Sequence, residues 1–589
     1  MNQKVKSFYS TYWKQLLIIG LVTISLMGIF IFHQSEREPQ IMKKTQLNTR
    51  NNDILSGQWK FMPGISKSND SLLISPTNFS IVEQNGSFVT KNSPINLAGT
   101  YINKLSGDFE MTFTIHLLNS TSASIQLYGQ VPIIADEFRI ERKSIRLNVA
   151  ANHLKISIWD GSKQMPIQEQ VFNFIPQDAN KVTLKREGQS FIFNVNNMQV
   201  GSLHDSGIFN SGNMWFGFDA EGRDWLLTDL SLQKVNNGSF EIVDASAIQI
   251  DQHDSQGLQS LATKKRPYFL VGSAIALGPI VSDDEYAKIA LDQNMFGSFT
   301  PENQMKMINL QPEHGVYTFE LADGLVKITK QNGLKIHGHT LIFGEANPPW
   351  FNNLPIKTVE DKQNISNILQ DHITTVMKHF GDDINSWDVI NEPLADYDFF
   401  DSENGKIFRT HKWYQAMGKD YIIQALEIAH TTNPNAMLFI NEYGLEQDGE
   451  RWDAFITFLN QLKPQLQEKN IPLDKVGIGF QAHVYDAEDI INPDTLGQHI
   501  QQLEKLGFKM QISEMDVYTD DGEKIQAKQY ADIFKTCFSQ KNCIAWRGWI
   551  LSDKYNFWKD DNGTIQQGKD GLFDTNMQPT FAIKQMKQL

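Results

Sequence analysis

Two glutamates in this sequence stand where short apolar runs meet polar residues. Glu392 lies in SWDVINEPL (386–394) and Glu514 lies in KMQISEMDV (509–517). Two carboxyl groups roughly 5–5.5 Å apart are the machinery of a retaining glycosidase, one as nucleophile and the other as acid/base. A capped turn or a solvated surface charge explains a single glutamate in such a position as well as a catalytic role does. The matched pair favours glycoside hydrolysis.

The other apolar runs also end in polar side chains, mostly carboxylate, amide, imidazole and indole groups. Besides the two glutamates, the candidate site residues are Glu302, Asn303, Lys306, His339, Asn391, Gln481, His483, Asp516, Trp549 and Trp558. Carboxylates and amides hydrogen-bond to hydroxyl groups, and an indole ring covers the apolar face of a sugar. This set of side chains therefore suits a neutral, polyhydroxylated substrate.

Three other chemistries lack the residues that they need. The histidines lie on different runs, and the sequence has no HExxH motif or cysteine cluster for a metal ion. It also has no glycine-rich cradle for phosphate and no GxSxG nucleophile elbow. We therefore expect neither a cofactor nor a metal.

The elements that must position these residues follow a regular order from 257 to 589. Eight apolar runs alternate with amphipathic stretches, at 268–276, 295–303, 334–343, 384–392, 436–443, 476–484, 509–517 and 544–553. Alternating strands and helices favour a parallel sheet, and eight units fit a (β/α)8 TIM barrel, whose active site lies at the carboxyl ends of the strands. A doubly wound open sheet is the alternative, but no glycine-rich loop follows the first run.

Residues 53–240 have a different pattern, with short runs in which apolar and polar residues alternate, such as FEMTFTIHL (109–117). Gly, Asn and Asp separate the runs, which predicts an all-β jelly-roll sandwich. The strand order resembles the concanavalin-like fold of lectin and laminin-G-type modules. Its aromatic residues form either the sandwich core or a sugar-stacking face: Tyr128, Trp159, Trp215 and Trp225. Residues 241–256 are predicted to be a linker.

The N-terminus is typical of an export signal. Three lysines precede an uncharged apolar run, Leu16–Phe32, and no small-x-small cleavage site follows that run. We predict a cytoplasmic stub and transmembrane signal-anchor helix over 1–33, then a spacer over 34–52. The rest of the chain is expected outside the cytoplasm, tethered to the membrane by this helix. Secretion after cleavage is the alternative.

Composition limits the partners further. The 589 residues carry a net charge of −15, so we expect no nucleic-acid partner. An acidic surface is compatible with a neutral polysaccharide, and we expect a monomer.

The two cysteines, Cys537 and Cys543, are six positions apart. In an exported chain this spacing predicts one local disulfide. Two unrelated buried thiols are the alternative.

Five segments resemble the motif series of glycoside hydrolase family 10, which consists largely of endo-β-1,4-xylanases. They are TPENQMK, GHTL, WDVINE, GIGFQAH and ISEMDV, in the order and at the spacing of that family. The resemblance extends from about Tyr268 to the end of the chain and implies a (β/α)8 barrel and a retaining mechanism. The segment CFSQKNC also matches the disulfide of the family, which supports the pairing of the cysteines.

The resemblance implies a role for each catalytic residue. Glu392 would be the general acid/base, and Glu514 the nucleophile. Asn391 would hydrogen-bond to the 2-hydroxyl of the sugar that is cleaved. His483 would contact the nucleophile and hold it ionised, and Asp516 would orient His483.

The resemblance also implies supporting and substrate-binding residues. Gln481 would support the acid/base. Glu302, Asn303 and Lys306 would bind the next sugar on the non-reducing side. His339, Trp549 and Trp558 would form the walls of the cleavage subsite.

The sequence departs from the family pattern close to these positions. Where the family usually has Trp-His after GHTL, and Gln two positions further on, this chain has Phe343, Gly344 and Ala346. Ile550 replaces a glycine after the tryptophan near the eighth run. Because both glutamates and all five motifs are present, an endo-1,4-β-xylanase is still the leading hypothesis. The alternatives are the same mechanism on another β-glycan or β-glycoside, or a weakly active carbohydrate-binding protein.

Overall fold

The computed structural model describes most of the chain after residue 253 and separate stretches before it. From 254 onward it describes every residue except 486–489, 519–521, 560–564 and 589. Before 254 it describes 65–68, 71–74, 82–84, 87–89, 97–99, 103–106, 108–117, 122–128, 144–159, 168–175, 177, 179–204, 213–219, 225–234, 242–244 and 250. The predicted signal-anchor (1–33) and spacer (34–52) lie outside the described residues.

Two antiparallel sheets lie in the N-terminal half. The first has the strand order Ile65–Ser68, Ser71–Ile74, Trp225–Lys234, Phe109–His116, Asn180–Glu187, Ser190–Val195 and Met198–His204. The second has the order Gln168–Asn173, His153–Trp159, Ser144–Ala150, Ser122–Tyr128, Asn213–Asp219, Asn103–Ser106 and Ile242–Asp244, and Leu97–Gly99 also pairs with Asn213–Asp219. Val82–Gln84 and Ser87–Val89 form a separate hairpin.

The two sheets share one hydrophobic core, which explains the alternation in the sequence. In Phe109–His116 every second residue is buried, because successive side chains of a strand point to opposite faces. The buried side chains Phe113 and Ile115 of the first sheet belong to the same cluster as Ile125 and Leu147 of the second.

The structure places one strand in the predicted linker 241–256. Ile242–Asp244 pairs with Asn103–Ser106, so the second sheet extends into the segment predicted to be a linker. A three-residue strand is too short to show an alternation that the sequence alone could reveal.

The second half forms a parallel sheet, whose strands we number β1 to β8. They are β1 Leu270–Ile275, β2 Ser298–Pro301, β3 Lys335–Ile336 with Gly338–Phe343, β4 Ser386–Asn391, β5 Met437–Glu442, β6 Val476–Phe480, β7 Lys509–Val517 and β8 Cys543–Gly548. Each pairs with the next in parallel, and β1 also pairs with β8. The strands are buried on both faces, as expected where helices cover a closed sheet.

The closure runs through an interruption in β3. Lys335–Ile336 pairs with β2 and Gly338–Phe343 pairs with β4, while His337 lies between them. The backbone N–H of His337 still donates to Phe299 O at 2.7 Å, so the ladder is continuous around the ring. The (β/α)8 barrel predicted from the eight runs is confirmed.

Helices connect the strands. Those of the barrel half are Leu258–Lys265, Leu277–Ser282, Asp284–Ala290, Met307–Leu310, Glu320–Gln331, Pro349–Asn352, Val359–Phe380, Lys412–Met417, Asp420–Thr432, Glu450–Glu468, Pro493–Leu506, Glu523–Ser539 and Phe581–Met586. Short 3-10 turns lie at Gly381–Asp383, Leu473–Lys475 and Asp553–Tyr555, and the hairpin Phe557–Lys559 with Ile565–Gln567 follows β8.

The longest of these helices, Val359–Phe380, shows how the sequence defines one element. Thr358 and Asp361 form a capping box at its start, satisfying backbone N–H groups that lack partners within the helix. Ile365, Leu369 and Ile373 recur every fourth residue and are buried against the barrel.

Cys537 and Cys543 form the predicted disulfide, with their Cα atoms 5.4 Å apart. It joins Glu523–Ser539 to the start of β8. Among the residues that the structure describes, no helix is long and apolar enough to cross a bilayer.

Candidate active site

The nucleophile candidate lies inside a strand. Glu514 belongs to β7, which continues to Val517, and its side chain is only 6% exposed. The pairing of β7 with β8 shifts register between Ile512 and Met515, on either side of Glu514. Residues on both sides of Glu514 thus belong to the strand, which fixes the backbone that carries this carboxyl.

His483 links two carboxylates beside the nucleophile candidate. Its Nδ1 lies 2.7 Å from Asp516 Oδ1, and its Nε2 lies 3.6 Å from Glu514 Oε2. His483–Val484 is a short strand that pairs with the end of β7, with His483 opposite Asp516. All three side chains predicted for this half of the site come together.

The charges of this group support one another. Burial alone would lower the pKa of His483, but Asp516 and Glu514 raise it well above its ordinary value, so the ring carries a positive charge at neutral pH. Burial alone would raise the pKa of Glu514, but the neighbouring imidazoles of His483 and His339 lower it. The nucleophile candidate is therefore held ionised, as covalent catalysis requires.

The acid/base candidate lies just beyond the end of a strand. Glu392 follows β4 and adopts a positive φ of 50°, a conformation that non-glycine residues rarely hold. Two contacts stabilise it: Glu392 N–H donates to Asn441 O at 2.8 Å, and Leu394 N–H donates to Glu442 Oε2 at 2.7 Å. Glu442 is thus a buried support for the turn that carries Glu392.

Three side chains contact the carboxylate of Glu392. Gln481 Nε2 donates to Oε1 at 3.2 Å, and Asn391 Nδ2 donates to the same oxygen at 3.3 Å. Arg409 Nη2 lies 3.0 Å from Oε2. Glu392 is 18% exposed, which makes it the more accessible of the two carboxylates.

Two amide side chains connect the two halves. Asn441 Nδ2 donates to Asn391 Oδ1 at 2.8 Å and also to Glu514 Oε1. Asn391 Nδ2 in turn donates to Glu392. Ser513 Oγ fixes Asn441 by donating to its Oδ1 at 2.6 Å. The two predicted catalytic carboxyls thus belong to one hydrogen-bonded network.

His339 lies next to the nucleophile candidate. Its Nδ1 is 2.9 Å from Asp388 Oδ2 and 3.9 Å from Glu514 Oε1. Ligand atoms of these three residues all lie within 4.8 Å of one another, a spacing that a metal ion could bridge. Of these atoms, His339 Nδ1 is hydrogen-bonded to Asp388 Oδ2, and Glu514 Oε1 accepts from Asn441 Nδ2.

Four of the other predicted substrate-binding residues follow β2 or β8. Glu302 and Asn303 directly follow β2 and are half-buried, and Lys306 Nζ donates to Asn303 Oδ1 at 2.9 Å. The Trp549 ring is partly exposed and packs edge-on against His339, with centroids 5.5 Å apart. Trp558 lies in the strand Phe557–Lys559, and its side chain is outside the described part of the structure.

In the segment that departs from the family pattern, the structure leaves no room for a side chain at Gly344. A Cβ atom on Gly344 would lie 2.6 Å from His411 Cδ2 and 3.2 Å from Arg409 Cδ. The His411 ring therefore occupies the space that a side chain at 344 would need. Ala346 has a positive φ of 50°, and its carbonyl accepts from Ile308 N–H at 3.0 Å.

Sequence reasoning assigned no role to several residues of this site, among them Asp388, Arg409 and Asn441. Asp388 is a charged residue inside the buried run of β4, and Asn441 stands near the end of β5, so both carried a recognisable signal. Arg409 lies in the segment after β4, where no local pattern indicates a contact with Glu392.

A (β/α)8 barrel whose mouth holds two carboxyls in one network of amides and imidazoles defines the chain as a glycoside hydrolase. The sequence model described as Glycosyl hydrolase family 10 matches residues 259–589. Because this match covers more than half of the chain, the chain belongs to that family.

Individual relatives agree with this assignment. Endo-1,4-beta-xylanase B of Thermotoga neapolitana is 31% identical over 318 residues, which are 52% of this chain and 84% of that protein. Exoglucanase XynX of Acetivibrio thermocellus is 30% identical over 54% of this chain and 28% of that protein. A solved structure of a xylanase from Bispora sp. MEY-1 with xylobiose is 25% identical, covers 56% of this chain and 99% of that one, and has a TM-score of 0.50.

Proposed function

We propose that this chain is a retaining endo-1,4-β-xylanase that uses Glu392 as acid/base and Glu514 as nucleophile. The observation that carries the proposal is the buried Glu514, whose Oε2 lies 3.6 Å from His483 Nε2 and which is linked through Asn441 and Asn391 to Glu392. Family membership and the named xylanase relatives support xylan as the substrate.

The reaction proceeds in two displacements. In the first, Glu514 attacks the anomeric carbon while Glu392 donates a proton to the departing glycosidic oxygen, giving a covalent glycosyl-enzyme and a shortened chain. In the second, Glu392 takes a proton from water, whose oxygen displaces Glu514 from the sugar. Asn391 is proposed to hydrogen-bond to the 2-hydroxyl, a contact that strengthens in the transition state.

The residues around the mouth have proposed binding roles. Glu302, Asn303 and Lys306 would hold the next sugar on the non-reducing side through its hydroxyl groups. The partly exposed Trp549 would cover the apolar face of the reacting sugar, beside His339.

A second candidate is the same mechanism on a different β-glycan. Phe343, Gly344 and Ala346 offer neither the indole donor nor the amide that the family usually places there. The exoglucanase named among the relatives supports a glucan as the alternative substrate.

Measurement of new reducing ends released from β-1,4-xylan and from mixed-linkage glucan tests the proposal. We expect release from xylan by the wild-type protein and none by Glu514→Ala, with the circular dichroism spectrum unchanged. Release from glucan alone would favour the second candidate, and release from neither would favour a carbohydrate-binding role.

The retaining stereochemistry has its own test. Proton NMR of the first product should show the β anomer before mutarotation. Early appearance of the α anomer would contradict a double displacement.

The other parts of the chain have proposed roles as well. We propose that the N-terminal sheets form a concanavalin-like jelly roll that binds carbohydrate, and that the chain is an exported monomer tethered to the membrane through 1–33. The Cys537–Cys543 disulfide is compatible with export. Retention of residues 53–240 on insoluble polysaccharides tests the first role, and fractionation of cells that express the full chain tests the second.

A further inference from the structure

The segment after β4 folds back on itself and places Arg409 next to the acid/base candidate Glu392. Ala395 N–H donates to Ile407 O and Arg409 N–H donates to Pro393 O, both at 2.9 Å. These antiparallel contacts fix the backbone of Arg409 beside Glu392. The position of the guanidinium is therefore set by the fold as well as by its charge.

Arg409 contacts three carboxylates at once. Nη2 lies 3.0 Å from Glu392 Oε2 and 2.6 Å from Asp396 Oδ1, and Nη1 lies 2.8 Å from Glu345 Oε1. Tyr443 Oη donates to Asp396 Oδ1 at 2.7 Å, which fixes that partner. The side chain of Arg409 is only 11% exposed, so solvent screens these charges weakly.

We propose that Arg409 is a positioning residue that holds the Glu392 carboxylate in place and sets how readily it takes up a proton. The inference rests on the proposed function, because it presumes that Glu392 acts first as an acid and then as a base. The carboxylate of Glu392 is the base of the second displacement, and its Oε2 forms the ion pair with Arg409 Nη2. When Glu392 is protonated, Asp396 and Glu345 keep Arg409 paired, so neither state leaves a buried charge alone.

Other titratable and charged groups face Arg409 and Glu392 from the neighbouring elements: Glu442 and Tyr443 at the end of β5, Arg451 in Glu450–Glu468, Tyr421 in Asp420–Thr432, and His411. Burial lowers the pKa of His411 to about 3, so this ring adds no charge at neutral pH. Burial raises the pKa of Glu442 to about 7, against the opposing effect of Arg451.

Glu345 is the partner best suited to a test. Its side chain is 52% exposed, so its replacement disturbs no core. It also stands in the segment where this chain departs from its family. Because Glu345 competes with Glu392 for Arg409, its removal should have the effect opposite to removal of Arg409.

The experiment is the pH dependence of kcat/KM on xylan, whose alkaline limb reports loss of the acid form of the free enzyme. We expect Arg409→Met to move the alkaline limb up by about one pH unit, because the carboxylate loses a stabilising charge. Arg409→Lys, which keeps the charge, should move it less. Glu345→Gln should move the limb down by a smaller amount, because Glu345 is screened by solvent.

Shifts in opposite directions would support the inference, because a general loss of structure cannot produce them. An unmoved limb in Arg409→Met, or shifts of the same sign in both variants, would overturn it. If Arg409→Met does not fold, Glu345→Gln decides, and an unmoved limb in that variant overturns the inference. Wild-type protein that hydrolyses neither xylan nor an aryl β-xylobioside would instead refute the proposed function.

Discussion

The two halves of the active site hold their carboxyl groups in different ways. Glu514 is buried within β7. Its partner Asp516 comes from β7 itself, and its partner His483 comes from the short strand that pairs with β7. Glu392 lies beyond the end of β4, is more exposed, and contacts Arg409 from a loop.

This difference matches the two tasks. A nucleophile has to be ionised before it attacks, and a position inside a strand beside a charged imidazole favours that state. An acid/base has to gain and lose a proton in each cycle. A carboxylate whose cationic partner is shared with two other acids can do so without leaving a buried charge unpaired.

The largest effect is expected from the strand-held half. Glu514→Ala should reduce kcat on xylan by about 10⁴-fold or more, because the covalent pathway is lost. Assay of reducing-end release checks this, with an unchanged melting temperature as the control. Added azide should restore turnover of an aryl β-xylobioside and give the α-glycosyl azide. A β-glycosyl azide would mean that the two carboxyl roles have been exchanged.

The loop-held half should respond according to the leaving group. Glu392→Ala should lower kcat on xylan by about 10³-fold, within the usual range for general acid catalysis. Formation of the glycosyl-enzyme from a dinitrophenyl β-xylobioside should stay close to the wild-type rate, because that leaving group needs no proton. A burst of dinitrophenol in stopped-flow measurements is the readout. Equal losses on both substrates would contradict a role for Glu392 as acid.

A change in the charge of His483 should affect the acid limb of the pH profile, which reports Glu514, and leave the alkaline limb, which reports Glu392, in place. Glu514 must be ionised to attack, and its pKa is lowered from 4.5, the ordinary value for a glutamate. The acid limb of kcat/KM is therefore expected below pH 4.5. Asp516→Asn should remove the main cause of the raised pKa of His483, so the ring loses its charge and the pKa of Glu514 rises. We expect the acid limb to move up by about one pH unit and the alkaline limb to stay in place. Movement of the alkaline limb alone would contradict the assigned partners.

The smallest effect concerns the segment that departs from the family. Gly344→His should lower the free energy of unfolding by about 2 kcal/mol, because the new side chain overlaps the His411 ring. Gly344→His combined with His411→Ser should recover most of that loss, as thermal unfolding of both variants will show. A single variant as stable as wild type would show that His411 can move aside.

Much of this molecule follows from local sequence pattern. The eight apolar runs predicted the barrel strands because strands buried on both faces need continuous apolar residues. The polar residues at their ends predicted the site because the fold collects those ends at one mouth. The pairing of His483 with Asp516 was implied by family motifs and is present in the structure.

Other contacts came only from the folded chain. Arg409 reaches Glu392 because two loop segments pair antiparallel, and no period in the sequence encodes that pairing. His411 fills the space above Gly344, which turns an unexplained glycine into a packing requirement. The periodic pattern of the strands thus decides where the two carboxyls stand. Tertiary contacts between loops decide what surrounds the acid/base, because such contacts depend on three-dimensional closure and leave no trace in local residue spacing.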